Sequence, residues 1–406
     1  MPGKSADFRA WGSAQLFFVL AVISATAFGM LAAPIQARLD IGAQQLGWLG
    51  AAFFATYAAS QLAAGFLLPR MRPRWLLAPS ALAAAASSLL LAHAESFGVA
   101  ILARALCGLG LGASFVGMIY VLGRRFRGNF AFMSALGQSI ANLAAAGLAL
   151  GDFALSGLIV FPKAFVVLAA ALAFAGACVF LFADDPPDPA AAGEAGPRAA
   201  IFSSGQFWAA TVFYCGTFGS LLAFADLWDI QFQANSFGHG APEAAALNAM
   251  IPLGVTAGGL ALGAWASRTS YVAPARLSAW VLVACLIALA LAQLPALAAG
   301  TILFAAGCAL GSSTLALAAI YATFPAPAAA TASSLAVTAA YISGSLLQPL
   351  VGAAYAGAEF AGYRRGMLVL VAAALGAATA SHFLKSRDGT LTQSRRPRPG
   401  DALAPT

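Results

Sequence analysis

Arg104 stands inside an otherwise apolar stretch, Ile101-Leu-Ala-Arg-Ala-Leu-Cys-Gly-Leu-Gly110, and a buried guanidinium has to be accounted for. Its planar, permanently charged fork suits an anionic solute, or it forms a structural ion pair, for which Asp152 near the end of the next apolar run is the natural partner. Asp226 and Asp229 lie three apart and share a helical face with Trp228 between them. They form either the rim of a gate or a solvated helix end with an interfacial aromatic. About a dozen residues into their apolar runs stand Ser24, Thr26, Tyr57, Asn142, Thr217, Ser220, Ser312, Ser313 and Tyr341. This ring of hydroxyls and one amide either orients a polar solute by hydrogen bonds or serves helix packing.

Bond-making chemistry is not legible. Three histidines (His93, His239, His382) and five cysteines are dispersed without metal-ligand spacing, and no His/Asp/Glu constellation falls within the apolar runs. The cysteines read as small buried hydrophobes. No Gly-x-x-x-x-Gly-Lys-Ser/Thr segment occurs, so an ATP-driven pump is disfavoured. The expectation is therefore no enzyme, no metal and no cofactor.

The elements that must position these residues follow from composition. Of 406 residues, 61% are hydrophobic and 9% charged, against roughly 45–50% and about 25% in soluble domains. So few charges cannot coat a soluble protein of this length, which excludes a soluble enzyme, a disordered regulator and a nucleic-acid module. Twelve runs are long enough to cross a bilayer: 13–34, 46–69, 75–93, 98–122, 130–154, 161–183, 207–233, 244–267, 277–294, 301–324, 331–355 and 366–384. They lack the alternation of a membrane barrel, which leaves helices. The first run exceeds the apolar core of a signal peptide and is read as a permanent span.

The net charge of +7 is a topology signal. With both termini cytoplasmic, sixteen Lys and Arg fall inside and four outside (Arg38, Lys163, Arg364, Arg365), with Arg104 alone within a span. No nucleic-acid partner is needed to explain the basic excess. Residues 184–205, rich in Pro, Ala and Gly, read as a cytoplasmic linker between bundles 1–183 and 206–385, and 386–406 as a disordered cytoplasmic tail.

The two sixes share features. Gly65 is followed five residues later by Arg70, and Gly263 by Arg268; Cys107-Gly-Leu-Gly110 matches Cys308-Ala-Leu-Gly311. Matching signals in register with a six-plus-six layout point to a duplicated transporter architecture. Gly65-Phe-Leu-Leu-Pro-Arg-Met-Arg-Pro-Arg74 resembles the Gly-x-x-x-Asp-Arg-x-Gly-Arg-Arg loop of the major facilitator superfamily. Arg104, Gly108 and Gly110, then Gly112, fit its span-four pattern. Leu227-Trp228 and Gln348-Pro349-Leu-Val-Gly352 are similar to bacterial members acting on small molecules. The resemblance covers residues 12–384 and implies an all-α membrane protein of twelve transmembrane helices in two pseudo-symmetric six-helix bundles. It also implies a cavity lined by spans one, four, seven and ten. Two departures stand out. Pro69 occupies the acidic position of the loop, so a cytoplasmic latch using Gly65, Arg70 and Arg74 is degraded or replaced. The antiporter signature is missing from span five, where Ala146-Gly-Leu-Ala-Leu-Gly-Asp152 stands.

For Arg104 the resemblance adds a third role, modulating protonation of a nearby carboxylate. The leading expectation is a monomeric secondary transporter of the bacterial inner membrane. It would move a small polar, anionic solute by alternating access with proton coupling. Asp152, Asp226, Asp229 and Trp228 would then serve coupling or gating. Proton-driven efflux of amphipathic compounds is the alternative; a nontransporting receptor or assembly factor on the same scaffold is the third.

Overall fold

The computed structural model describes residues 4–126, 130–155, 157, 159–187, 198–355 and 360–386, and among them there is no strand. The first half builds α1 (Lys4–Met30), α2 (Ala32–Leu39), α3 (Ala43–Leu67), α4 (Pro73–Ala92), α5 (Phe97–Leu111), α6 (Ala113–Arg125), α7 (Phe130–Ala154) and α8 (Lys163–Phe182). A short α9 (Arg198–Phe202) precedes α10 (Gly205–Tyr214), α11 (Ser220–Ala223), α12 (Asp229–Ser236), α13 (Ala241–Asn248), α14 (Met250–Arg268) and α15 (Val272–Leu291). The chain continues through α16 (Ala296–Leu310), α17 (Thr314–Thr323), α18 (Ala326–Ala354) and α19 (Phe360–Ser381). Each apolar run of the sequence coincides with one helical rod. Ten rods, among them Phe97–Arg125 and Gly205–Ser236, are long and apolar enough to cross a membrane. Helices α7 and α19, of 25 and 22 residues, pack among them.

Helix starts are set by local chemistry. Ser96 Oγ accepts from Val99 N–H at 3.4 Å to cap α5, and Ser204 Oγ does the same for Phe207 N–H at α10. Pro73 opens α4, where its missing N–H leaves nothing unpaired. Three rods of the predicted cavity are irregular. Rod α5–α6 changes course at Gly112, and α16–α17 tightens over Gly311–Ser313. Rod α10–α12 widens to π-helical turns at Cys215–Gly219 and Phe224–Trp228, a distortion that collects at functional sites.

Two seams hold the halves together internally. On α3, Thr56 Oγ1 donates to the Ala105 carbonyl at 2.8 Å and Ser60 Oγ to that of Leu109 at 2.6 Å, where Gly108 lets α5 approach the Phe53 carbonyl. On α14, Gly254 and Gly258 lie against the backbone of Cys308, and Gly307 against Ile251.

The halves meet along three lines. Gly29 of α1 abuts the Asp226 carbonyl, and Gly47 of α3 abuts Gln348 and Pro349 of α18, where Ser345 Oγ donates to the Ala51 carbonyl at 2.8 Å. Ala146 and Ala149 of α7 pack with Ala244, Ala245 and Ala249. These contacts lie between the bundle's mid-height, marked by the Tyr57–Tyr341 ring pair at 5.1 Å, and the face opposite the arginine-rich turns.

The arginine-rich face holds the start of the segment expected to be a linker. Asp184 pairs with Arg72 at 2.9 Å and Arg74 at 3.1 Å; Asp185 pairs with Arg125 at 3.0 Å, and Asp7 joins Arg125 at 2.9 Å. The segment therefore begins tied to the first half, and near its end Ile201 of α9 is buried. Residues 188–197, the middle of the expected linker, and 387–406, the expected tail but for Ser386, lie outside the described residues.

Candidate functional site

Arg104, on α5, is 1% exposed. Its guanidinium carbon lies 3.9 Å from the Phe28 ring centroid and 4.2 Å from that of Phe53. Desolvated cation–π contacts of this kind are worth about 2 kcal/mol. Nε donates to the Leu49 carbonyl at 3.4 Å, while Nη1 is buried without a hydrogen-bond partner. Among the described residues no carboxylate forms an ion pair with it.

Asp152 is not that partner. Its Oδ1 accepts from Ile159 N–H at 2.7 Å, and its carbonyl from Gly157 N–H at 2.8 Å, so it pins the turn that follows α7. Depth is the reason. Arg104 stands seven residues beyond the start of α5, about 10 Å in, whereas Asp152 is two residues from the end of α7, about 3 Å in. Asp226 lies nearby across the half boundary: Gly29, which abuts the Asp226 carbonyl, follows Phe28, on whose ring the guanidinium rests.

The expected hydroxyl ring divides. Thr26 Oγ1 donates to the Val22 carbonyl at 3.2 Å, Thr217 Oγ1 to Phe213 at 2.7 Å, and Ser312 Oγ to Ala309 at 2.5 Å. These hydroxyls are spent on their own helices. Ser24 Oγ meets Cys107 Sγ at 3.7 Å in the packing of α1 on α5. Ser313 is buried, and Ser220 Oγ is buried and unpartnered. Asn142 Oδ1 accepts from Gln138 Nε2 at 3.4 Å on a half-exposed stretch of α7. The five cysteines are free, with Cys107 and Cys285 buried.

Tyr57 and Tyr341 belong instead to an aromatic cluster spanning both halves. Tyr341 lies 6.2 Å from Phe54 and 5.2 Å from Phe218, which is 5.3 Å from Tyr214; Phe53 is 5.8 Å from Tyr57. The Arg104 platform of Phe53 thus continues into a ring surface at mid-height. Sequence reasoning passed over Phe28, Phe53, Phe54, Tyr214 and Phe218. The available signal was spacing: Phe53/Phe54/Tyr57 and Tyr214/Phe218 place rings one helical turn apart.

The two aspartates of the seventh span part company. Asp226 is half-buried, on the π-helical turn beside α1. Asp229 is fully buried: Gln233 Nε2 donates to Oδ1 at 3.1 Å, and Asn248 Nδ2 to Oδ2 at 3.0 Å and to the Ala225 carbonyl at 2.9 Å. This is an internal brace to α13, not a solvated helix end. Trp228 is also buried; its Nε1 donates to the Gln348 carbonyl at 3.0 Å and its ring lies 5.5 Å from Tyr355. It packs within the second half rather than anchoring at a membrane interface.

In the Gly65–Arg74 turn, Gly65 is exposed, and a side chain there would meet open space. Arg70 donates to the Phe66 carbonyl, and Arg74 pairs with Asp184 while lying 5.4 Å over Trp75. The carboxylate that pairs with Arg72 and Arg74 is Asp184, just past the end of α8.

With this geometry in view, comparison with known proteins is informative. A family model described as Major Facilitator Superfamily matches residues 16–349. Among solved structures, a bacterial homologue of the human lysosomal transporter Spinster, inward-facing and unoccupied, superposes with TM-score 0.72 at 18% identity over 94% of this chain and 98% of that one. The nucleoside transporter NupG gives 0.76 at 13% identity over 93% and 98%. No curated protein matches.

Proposed function

The chain belongs to the Major Facilitator Superfamily, whose members are multi-pass membrane transporters rather than enzymes, and from that premise we propose that it carries a small anionic solute across the bacterial inner membrane by proton-coupled alternating access. The observation behind the anion is Arg104: buried on two aromatic faces, with Nη1 unpartnered and no ion pair. A charge held inside a span without a partner is a binding residue by default. The two halves are the rocking bundles, 1–183 and 206–385, in a monomer. The arginine-rich face is the cytoplasmic one and carries both termini. Because the halves close against each other on the opposite side, this state opens to the cytoplasm.

Asp226 supplies the coupling. While ionised it offsets the field of Arg104; once protonated, it leaves the guanidinium uncompensated and ready for an anion. Proton and anion then load together, which is symport. The Arg72/Arg74–Asp184 and Arg125–Asp7/Asp185 pairs take the place of the loop acid lost at Pro69.

The test is a thermal-shift screen of purified protein with anionic, neutral and cationic metabolites, run on the parent, Arg104→Ala, Arg104→Lys and Asp226→Asn. A ligand at a hundred times its Kd stabilises the fold by about 2.7 kcal/mol. Anions should stabilise the parent and Asp226→Asn but not Arg104→Ala, with Arg104→Lys weaker. Anionic stabilisation that survives Arg104→Ala overturns the assignment. The mid-height aromatic cluster favours a second reading, efflux of amphipathic compounds, and stabilisation by amphipathic cations alone selects it.

A further inference from the structure

A groove of about 760 Å³ opens between α10 and α19 at their arginine-rich ends, at the other end of the bundle from Arg104. Ala209, Val212, Gly376 and Ala380 line it, from the helix ends to about two turns below them, so it faces the hydrocarbon. Trp208, 49% exposed, and Lys385 stand at the level of the bilayer interface. A neighbouring pocket of about 600 Å³ shares Lys385 and adds Arg276.

The position of Lys385 is built. It lies just past α19, where a chain frays unless tied down. Here its carbonyl accepts from Gln206 Nε2 at 2.9 Å and from the Tyr271 hydroxyl at 2.5 Å. Arg276 is fixed beside it, with Nε donating to the Ser381 carbonyl at 3.3 Å and Nη2 to that of His382 at 3.2 Å. Trp280, 46% exposed, donates from Nε1 to His382 Nε2 at 3.1 Å. Among the described residues no carboxylate pairs with Lys385 or Arg276. A fixed guanidinium and a lysine whose backbone is tied beside it, neither paired with a carboxylate among the described residues, thus sit between two indoles at headgroup level, above a mostly apolar channel suited to an acyl chain.

We propose that this groove is a binding site for one anionic phospholipid, with an acyl chain along α10 and α19 and its phosphate between Lys385 and Arg276. The site is independent of the transported solute and of the roles assigned to Arg104 and Asp226.

The full chain is reconstituted in phosphatidylcholine nanodiscs containing a minor fraction of brominated phosphatidylglycerol or brominated phosphatidylcholine. Bromine quenches indole fluorescence on contact, and the Trp208 signal is the parent minus Trp208→Phe. Each cation near an anionic headgroup is worth about a fivefold preference, so brominated phosphatidylglycerol should quench Trp208 at several-fold lower lipid fraction. Lys385→Gln should lose about fivefold of that preference and Lys385→Arg should keep it; adding Arg276→Gln should remove the rest. If the double variant melts early, Lys385→Gln alone decides, since its side chain makes no bond within the described residues. Equal quenching by both lipids in the parent, or an unchanged preference in Lys385→Gln, overturns the proposal. So does quenching by either lipid that appears only after residues 387–406 are removed, because the chain's own tail then fills the groove.

Discussion

The α3/α5 seam and the α14/α16 seam occupy matching places in the two halves, yet they are joined differently. Both bring backbones into contact through glycine. The first adds two hydroxyl-to-carbonyl bonds, Thr56 to Ala105 and Ser60 to Leu109. The second shows no hydroxyl-to-carbonyl bond among the described residues, and Thr256 donates to Pro252 on its own helix at 3.0 Å. Close packing fixes the distance between helices; interhelical hydrogen bonds also fix their register. The bonded seam carries Phe53, on which Arg104 rests, so the half that holds the charge is pinned. The other half contains the two π-helical turns and the sliding seam. The comparison teaches a division of labour between a rigid charge-bearing half and a compliant one.

Substitutions can break or sharpen this contrast. The largest effect is expected where both seams are alike: Gly108→Ala and Gly258→Ala each force a Cβ into a neighbouring backbone and should lower stability by about 1–3 kcal/mol, read as a lower melting temperature in detergent. A tolerated Gly258→Ala would mean that the second seam is too loose for the comparison to stand. Gly47→Ala comes next. Its Cβ would sit 2.6 Å from the Gln348 carbonyl oxygen and the Pro349 Cα, across the halves. A penalty of about 1–3 kcal/mol there, about 5–150-fold in population, should favour the opposite-facing state, seen as greater thiol labelling of a cysteine introduced near Asp226. Thr56→Val and Ser60→Ala should each cost about 0.6 kcal/mol and at most about 1.7 in reversible unfolding. The smallest change is Thr256→Val, within about 0.5 kcal/mol. If Thr56→Val is as silent as Thr256→Val, the two seams do not differ in polar glue.

Most of the architecture was legible because bilayer physics allows few alternatives. Among the described residues the apolar runs fall on helices, ten of them long and apolar enough to cross a membrane, and Gly108 and Gly110 mark a packing face where the span-four pattern places one. The candidate site was legible in part. Arg104 and the Tyr57/Tyr341 level could be found by counting depth, but counting does not say which carboxylate a cation meets; that depends on how the two halves dock. Asp152 failed because its depth was shallower than assumed. Asp229 failed because its brace comes from Asn248 on another rod, although Gln233, four residues on, was a visible hint. Thr26, Thr217 and Ser312 show the usual fate of lone hydroxyls in apolar helices, bonding their own backbone.

The contacts that join the halves are uncharged, made of glycine, alanine, backbone carbonyls, the Ser345 hydroxyl and the Phe54/Tyr57–Tyr341 rings, whereas the arginine-rich face is held by Asp7, Asp184 and Asp185. These two kinds of fastening answer to different variables. Mobile ions screen exposed charges over about 8 Å at physiological ionic strength, so the Arg72/Arg74–Asp184 clasp, with side chains 45%, 25% and 37% exposed, weakens as salt rises. The uncharged closure between the halves has nothing to screen. Ionic strength on the arginine-rich side thus acts on the clasp while leaving the contact between the halves unchanged.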